Sequence, residues 1–323
     1  MRIGLVTDSL AQVPLQELLP LAATAGITML EFGCGNWSPA PHLDIDRLLA
    51  SEAERADFLA VLRGLNLSIS ALNCSGNPLL PGEAGAAHRK VTSKTIRLAG
   101  LLGVRRVVMM SGCPGGPRDA NANWVTTAWP PEAARVLDWQ WSEQLIPYWR
   151  SLVAEAAAAG VERLCLELHG QQHVYNVRTL FRLRDAVGPT VGANLDPSHL
   201  FWMGADPIAA VAALGEAIYH VHAKDTRINA AVAAVHGLID VTPMERLDER
   251  AWSYVTLGRG HDVTWWRSFV GALRATGYDD VLSIEHEDEL VDATEGLEKA
   301  IAFLQPIVLE KPAGAPWWEY EHG

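Results

Sequence analysis

Four acidic or imidazole residues stand where short apolar runs give way to polar sequence. They are Glu167 in Leu166-Glu167-Leu168-His169, Asp196 in Leu195-Asp196-Pro197-Ser198-His199, His222 in His220-Val221-His222-Ala223-Lys224-Asp225, and Glu285 in Ile284-Glu285-His286-Glu287-Asp288. The steps between them are 29, 26 and 63 residues (167 to 196, 196 to 222, 222 to 285). The first two steps are about the length of one strand-plus-helix unit, and the third is one such unit enlarged by a long loop. Side chains alternate along a strand, so Glu167 shares a face with His169, and His222 with His220 and Lys224. Three carboxylates and an imidazole at one height repel one another unless a cation joins them. One divalent ion held by Glu167, Asp196, His222 and Glu285 removes that cost and leaves positions for substrate oxygens. Oxygen-rich ligation with one nitrogen suits Mn²⁺ first, with Mg²⁺, Co²⁺ or Fe²⁺ as alternatives.

Such ligands need strands that end side by side. Short β-rich runs are expected at Ile3–Thr7, Met29–Gly33, Leu67–Leu72, Arg106–Met110, Arg163–His169, Thr190–Asp196, Ile218–Lys224 and Val281–Glu287, eight in all. Between them, apolar residues three or four apart predict helices at Leu15–Ala25, Ala53–Arg63, His88–Leu102, Ser142–Ala159, Val177–Val187 and Thr264–Ala275. Glycines such as Gly26, Gly64, Gly103, Gly160 and Gly277 follow the helices, where a tight turn into the next strand needs them. Eight β-then-α units closing on themselves give a (β/α)₈ TIM barrel, an α/β fold. No GxGxxG follows the first strand, which argues against an open dinucleotide-binding sheet. One barrel domain is expected over residues 1–310, with a tail at 311–323 that carries Trp317, Trp318 and Tyr320. Two connections are long, 111–141 and 225–263. Both leave the C-terminal rim, where barrel loops build active sites, so both are expected to wall the substrate pocket.

At 323 residues and 49% hydrophobic, the chain can bury one large core. The net charge of −12 opposes nucleic acid, whose phosphates would be repelled. Four cysteines, at 34, 74, 113 and 165, form no CxxC pair, which argues against disulfides or a thiolate site and suits a reducing cytoplasm. No apolar stretch reaches the roughly 20 residues of a membrane span, and Met1-Arg2-Ile3-Gly4 enters a strand without a signal-peptide layout. A cytoplasmic protein away from membranes is expected.

The four strand-end residues also carry a resemblance. The chain resembles the xylose isomerase-like TIM barrels, the sugar phosphate isomerases and epimerases that include ketose 3-epimerases and inosose dehydratase. The likeness runs through nearly the whole barrel and is densest from Glu167 to Asp288. In that family a Glu, an Asp, a His and a Glu on the last four strands bind the metal, matching Glu167, Asp196, His222 and Glu285. Asp196-Pro197-Ser198-His199 resembles the family's DxxH, which implies that His199 faces substrate. Leu257-Gly258-Arg259-Gly260-His261 resembles the PGxGxxxW-type segment before the last helix, with Leu257 in place of the proline. A nuclease of the same fold needs a multi-metal cluster. Here the third strand ends in Asn73-Cys74-Ser75, and no DxH follows His222.

The resemblance implies a divalent-metal-dependent sugar isomerase or epimerase. A proton next to a carbonyl is abstracted through a metal-stabilised enediolate, with Glu167 and Glu285 as the proton-transfer pair and His199 as a further catalytic residue. The alternative in the same fold is a lyase that eliminates or dehydrates a 3-keto-sugar or 3-keto-glycoside. The substrate is a small carbohydrate in either case. The resemblance implies a homo-oligomer, or a complex with a small second subunit if the chain is a deglycosidase. His169, on the face of Glu167, and Lys224, on the face of His222, are candidate substrate contacts. So are Arg259, through anionic or hydroxyl groups, and Trp124, from a Trp-rich stretch whose indoles would stack on sugar faces.

Overall fold

The computed structural model describes residues 1–311 and residue 314. Eight parallel strands close into a barrel: β1 (Arg2–Val6), β2 (Met29–Gly33), β3 (Ser68–Asn73), β4 (Arg106–Met109), β5 (Arg163–Glu167), β6 (Val191–Leu195), β7 (Ile218–Ala223) and β10 (Val281–Ile284). β1 pairs with both β2 and β10, which closes the ring in the order β1-β10-β7-β6-β5-β4-β3-β2. All eight expected strands are therefore present, with ends that differ by at most three residues, the largest difference being Val281–Ile284 for the expected Val281–Glu287. Of the expected tail, the stretch carrying Trp317, Trp318 and Tyr320 lies outside the described residues.

The core follows from alternation. Outward-facing residues such as Leu5, Leu30, Phe32, Leu164, Val191 and Ile284 are fully or almost fully buried under the helices. The helices Gly82–Leu102 and Ile146–Ala159 pack closely enough that a Cβ on Gly100 would sit 2.0 Å from the Ala159 carbonyl oxygen. Both end on a glycine in the left-handed region, Gly103 at φ 70° and Gly160 at φ 77°, where any side chain would be strained. All four cysteines are buried and unpaired, and burial pushes the Cys74, Cys113 and Cys165 thiols up to about 12.

The two long connections differ from each other. The segment after β7 folds into an antiparallel hairpin, β8 (Asp225–Ile228) with β9 (Trp252–Val255), around a short helix Ala230–His236. Trp252 stacks on Trp202 at 4.8 Å, and Thr226 Oγ1 donates to the Ser198 carbonyl at 2.8 Å, so the hairpin is fastened to the helix Pro197–Trp202. The segment after β4 instead runs into a helix, Pro131–Trp139, continuous through a wider turn (Gln140–Leu145) with the helix Ile146–Ala159. The Gln140 amide donates to the carbonyls of Pro114 and Asn123 at 3.0 and 2.8 Å. Those bonds tie this segment to its own helix, while Cys113 and Gly112 bond to Asn77 and Gln172 in the loops after β3 and β5.

Candidate metal centre

Glu167 is the last residue of β5, and Glu285 follows β10. His222 lies on β7, where its neighbour across the sheet is Ser283. Asp196 follows β6 and caps the helix Pro197–Trp202: its Oδ1 accepts from the Ser198 N–H at 2.8 Å, and its Oδ2 lies 4.0 Å from Lys224 Nζ. One ligand atom from each of these four residues lies within 4.8 Å of all the others. His222 Nδ1 is 3.4 Å from Glu167 Oε2 and 3.2 Å from Glu285 Oε2. The donor set fits a divalent ion. Asp196 Oδ2 and His222 Nδ1 are buried and have no hydrogen-bond partner, although His199 Nε2 lies 3.2 Å from that oxygen. Buried polar atoms are normally satisfied, and two unsatisfied ones converging with two carboxylates are what a cation would complete.

The other face of His222 is fixed. Its Nε2 lies 3.1 Å from the carboxylate oxygens of Glu31, a fully buried residue of β2. Glu31 also accepts from His220 Nε2 and Asn73 Nδ2, each at 2.7 Å, and from Ser283 Oγ at 3.3 Å. Burial opposes the Glu31 charge, but His222 and His220 outweigh it and hold the carboxyl well below the usual range. Burial likewise opposes charge on His222, yet Glu31 and then Glu285 raise its pKa well above the ordinary value, while burial keeps His220 lowered. An imidazole whose second nitrogen is held by a carboxylate has its tautomer and direction set.

Around the ligands, His199 Nε2 lies 2.7 Å from Glu167 Oε1, and its Nδ1 is 2.9 Å from the Tyr254 hydroxyl on β9. Burial works against charge on His199, but Asp196 and Glu167 raise it to about 9. Lys224 Nζ lies 3.1 Å from Glu285 Oε2 and 2.6 Å from Glu287 Oε2, and 4.3 Å above the Tyr254 ring. Burial penalises charge on both Lys224 and Glu285, yet their pairing lowers Glu285 and raises Lys224. The Glu287 side chain is half-exposed beside that pair. A cavity of about 270 Å³ opens over these groups, lined by Glu167, His169, His199, Lys224, Glu285 and Glu287 on one side.

The model of the xylose isomerase-like TIM barrel matches residues 19–307. The chain belongs to that family. It is 49% identical over 311 residues to the uncharacterized protein YfiH of Bacillus subtilis (strain 168), a match that covers 95% of this chain and 99% of that one. Solved structures of the same fold include the probable 3-DHS dehydratase AsbF of Bacillus anthracis, with a TM-score of 0.68 at 16% identity over 94% of this chain and 98% of that one. The IolI protein with a bound zinc atom has a TM-score of 0.66 at 19% identity, over 95% and 98% of the two chains. An L-ribulose 3-epimerase has a TM-score of 0.62 at 21% identity, over 94% and 93%. At these identities the likeness is one of fold.

Within this member of the family, the cavity brings together Glu167, His199, Glu285, His169 and Lys224, with Asp196 and His222 beside it. The His169 ring stands 4.2 Å from that of His199, and burial lowers its pKa to about 3, so it is neutral. Two expected substrate contacts lie elsewhere. Arg259 Nη1 is 3.2 Å from Asp288 Oδ2, whose carboxylate also accepts from the Thr256 N–H, so the guanidinium is drawn away from the cavity. Trp124 packs edge-on to Tyr175 at 5.5 Å over a separate space of about 60 Å³. The long connections also divide: 225–263 reaches the cavity through Tyr254, whereas no residue of 111–141 lines it. Asp8, Trp37, Ser38 and Asn73 line it instead, from the ends of β1, β2 and β3. Among the described residues, no helix is long and apolar enough to cross a membrane.

Proposed function

We propose that the protein is a divalent-metal-dependent sugar isomerase or epimerase, with Mn²⁺ as the first candidate ion, that moves a proton next to a carbonyl. The observation that carries this reading is the placing of Glu167 and Glu285 on either side of His222 Nδ1, at 3.4 and 3.2 Å, with both carboxylates on the cavity wall. A bound divalent ion would draw a substrate carbonyl and neighbouring hydroxyl and acidify the C–H between them. Glu285 is kept ionised by Lys224 and His222, as a general base must be at neutral pH. Glu167, hydrogen-bonded to His199, is the partner that supplies a proton at the other face, and the 2.9 Å contact of His199 Nδ1 with the Tyr254 hydroxyl holds the imidazole in place. His169, neutral, and Lys224 are available to hold substrate oxygens.

One observation favours a second reading. The Glu287 carboxylate, half-exposed and paired with Lys224 Nζ at 2.6 Å, faces the same cavity, where the Lys224 ammonium would suit the protonation of a leaving group. That is the need of a lyase acting on a 3-keto-sugar or 3-keto-glycoside. Incubation of Mn²⁺-loaded protein with free ketoses and with 3-keto-glycosides in D₂O separates the two. Deuterium at the carbon beside the carbonyl, with the skeleton intact, is expected, and loss of the aglycone would select the lyase. Glu285→Gln should retain metal and lose at least about 10²-fold in turnover. Undiminished exchange by that variant, or by chelator-stripped protein, would sink both readings.

A further inference from the structure

The closed strand order sets β1 opposite β5 and β2 opposite β6, four strands apart around the ring. A substrate whose reacting carbons sit between Glu167 of β5 and Glu285, which follows β10 beside β1, has the ends of β1 and β2 on its other side. Asp8, in the turn that follows β1, and Ser38, in the loop after β2, converge there over Gly33. A Cβ on Gly33 would lie 2.3 Å from Ser38 Oγ and 2.6 Å from each Asp8 carboxylate oxygen. Asp8 Oδ1 is buried without a hydrogen bond of good geometry, and Ser38 Oγ accepts from the Ala40 N–H at 2.9 Å, so the Ser38 hydroxyl hydrogen can turn to Asp8 or to a ligand oxygen. Next to them Trp37 is 53% exposed at the cavity edge, with His88 as an edge-on neighbour at 6.5 Å.

We infer that Asp8, Ser38 and Trp37 form a subsite for the far end of the substrate, taking a neutral vicinal diol of a sugar rather than a phosphate or carboxylate. This rests on the reading of the cavity as a sugar site and names what lies beyond its metal end. A carboxylate accepts from two adjacent hydroxyls, a serine hydroxyl donates to a third oxygen, and an indole covers the apolar C–H face of a sugar. Charge decides against an anion. Among the described residues that line the cavity, Lys224 is the only lysine or arginine, and it stands at the other end, beside Glu285 and Glu287. A phosphate at this end would face the Asp8 charge with no cation to offset it. The cavity of about 270 Å³ is at the small end of ligand pockets, so a larger group must pass out over Trp37.

The test measures binding apart from turnover. Saturation-transfer NMR on Mn²⁺-loaded protein uses D-fructose, methyl β-D-glucoside and D-fructose 6-phosphate as probes. At least one neutral probe should bind, and the phosphate ester should bind at least about tenfold more weakly. Asp8→Asn should weaken the neutral probe about tenfold or more, as loss of hydrogen bonds to a charged acceptor does, with metal content unchanged. Trp37→Ala, at a half-exposed position where misfolding is not at issue, should weaken it about two- to tenfold. Equal binding of the phosphate ester, no binding of either neutral probe, or wild-type binding by both variants would overturn the subsite. Binding that follows these expectations with no deuterium exchange in D₂O would leave the subsite standing and remove the isomerase reading. Exchange with an unchanged KM in Asp8→Asn would do the reverse.

Discussion

Glu31→Gln tests whether the carboxylate beneath the site aims a metal ligand or merely fills the barrel. The substitution keeps size and one acceptor oxygen but removes the charge, and its new NH₂ must face one of the donors that Glu31 now receives. Those donors are Asn73 Nδ2 and His220 Nε2 at 2.7 Å, His222 Nε2 at 3.1 Å and Ser283 Oγ at 3.3 Å, around a side chain with no exposed surface. Hydrogen bonds to a charged group contribute about 1.5–3 kcal/mol each, and removing one partner of a buried charged pair costs about 3–5 kcal/mol. A loss of about 3–5 kcal/mol in unfolding free energy is therefore expected by urea denaturation. The same change frees the His222 ring to turn and lowers its basicity, so Mn²⁺ affinity, read by competition with a chelator, should fall about 10–100-fold. Stability lost with affinity within about twofold of wild type would refute the orienting role and leave Glu31 as a core hydrogen-bonding group.

His199→Ala leaves all four ligand side chains in place, so metal content by elemental analysis should persist while turnover falls about 10²-fold or more. Loss of metal would instead make His199 the group that holds Asp196 and Glu167 in position. For pH, His199 is raised from 6.5 to about 9 in the folded chain, and His222 is raised as well. A raised folded pKa gives stability that is full below about pH 6.5 and is lost as pH rises through about 9, so chelator-treated protein should weaken across that window by on the order of 3 kcal/mol. Urea midpoints that are flat or rising from pH 6.5 to 9 would contradict it.

Much of the fold was legible because alternation and glycine punctuation act locally. The runs at Met29–Gly33 and Val177–Val187 begin and end in the structure where the sequence puts them. The hairpin within 225–263 was not legible, because its strands are four residues each and are held by contacts far away in sequence, Trp252 on Trp202 and Thr226 on Ser198. Arg259 and Trp124 show the limit of reading a residue by type alone. A guanidinium goes to the nearest buried carboxylate, here Asp288, and an indole goes where its loop is anchored, here by Gln140. Trp37, which does line the cavity, stood alone in a short loop and carried no such cluster signal. Glu31 did carry one: a single charge inside Met29-Leu30-Glu31-Phe32-Gly33, on a strand whose every residue is buried.

The difference between what was and was not legible follows from which part of the barrel does each job. The layer under the metal residues is built by strands alone. Glu31 of β2, Asn73 of β3, His220 and His222 of β7 and Ser283 of β10 meet inside the barrel, and their heights are set by strand pairing, with one register shift at Leu30/Glu31. Ligands that stand on such a layer inherit its precision, so residues at strand ends can be placed from spacing. The rest of the cavity wall is different. Asp8, Trp37, Ser38 and Tyr254 come from a turn, a loop and an added hairpin, none bound by the barrel's register. A barrel divided in this way can keep its proton chemistry on rigid strands while short loops set which sugar enters. On that argument, exchanging the loop after β2 should change substrate choice without moving His222, because the contact that aims His222 lies below the loop, at Glu31.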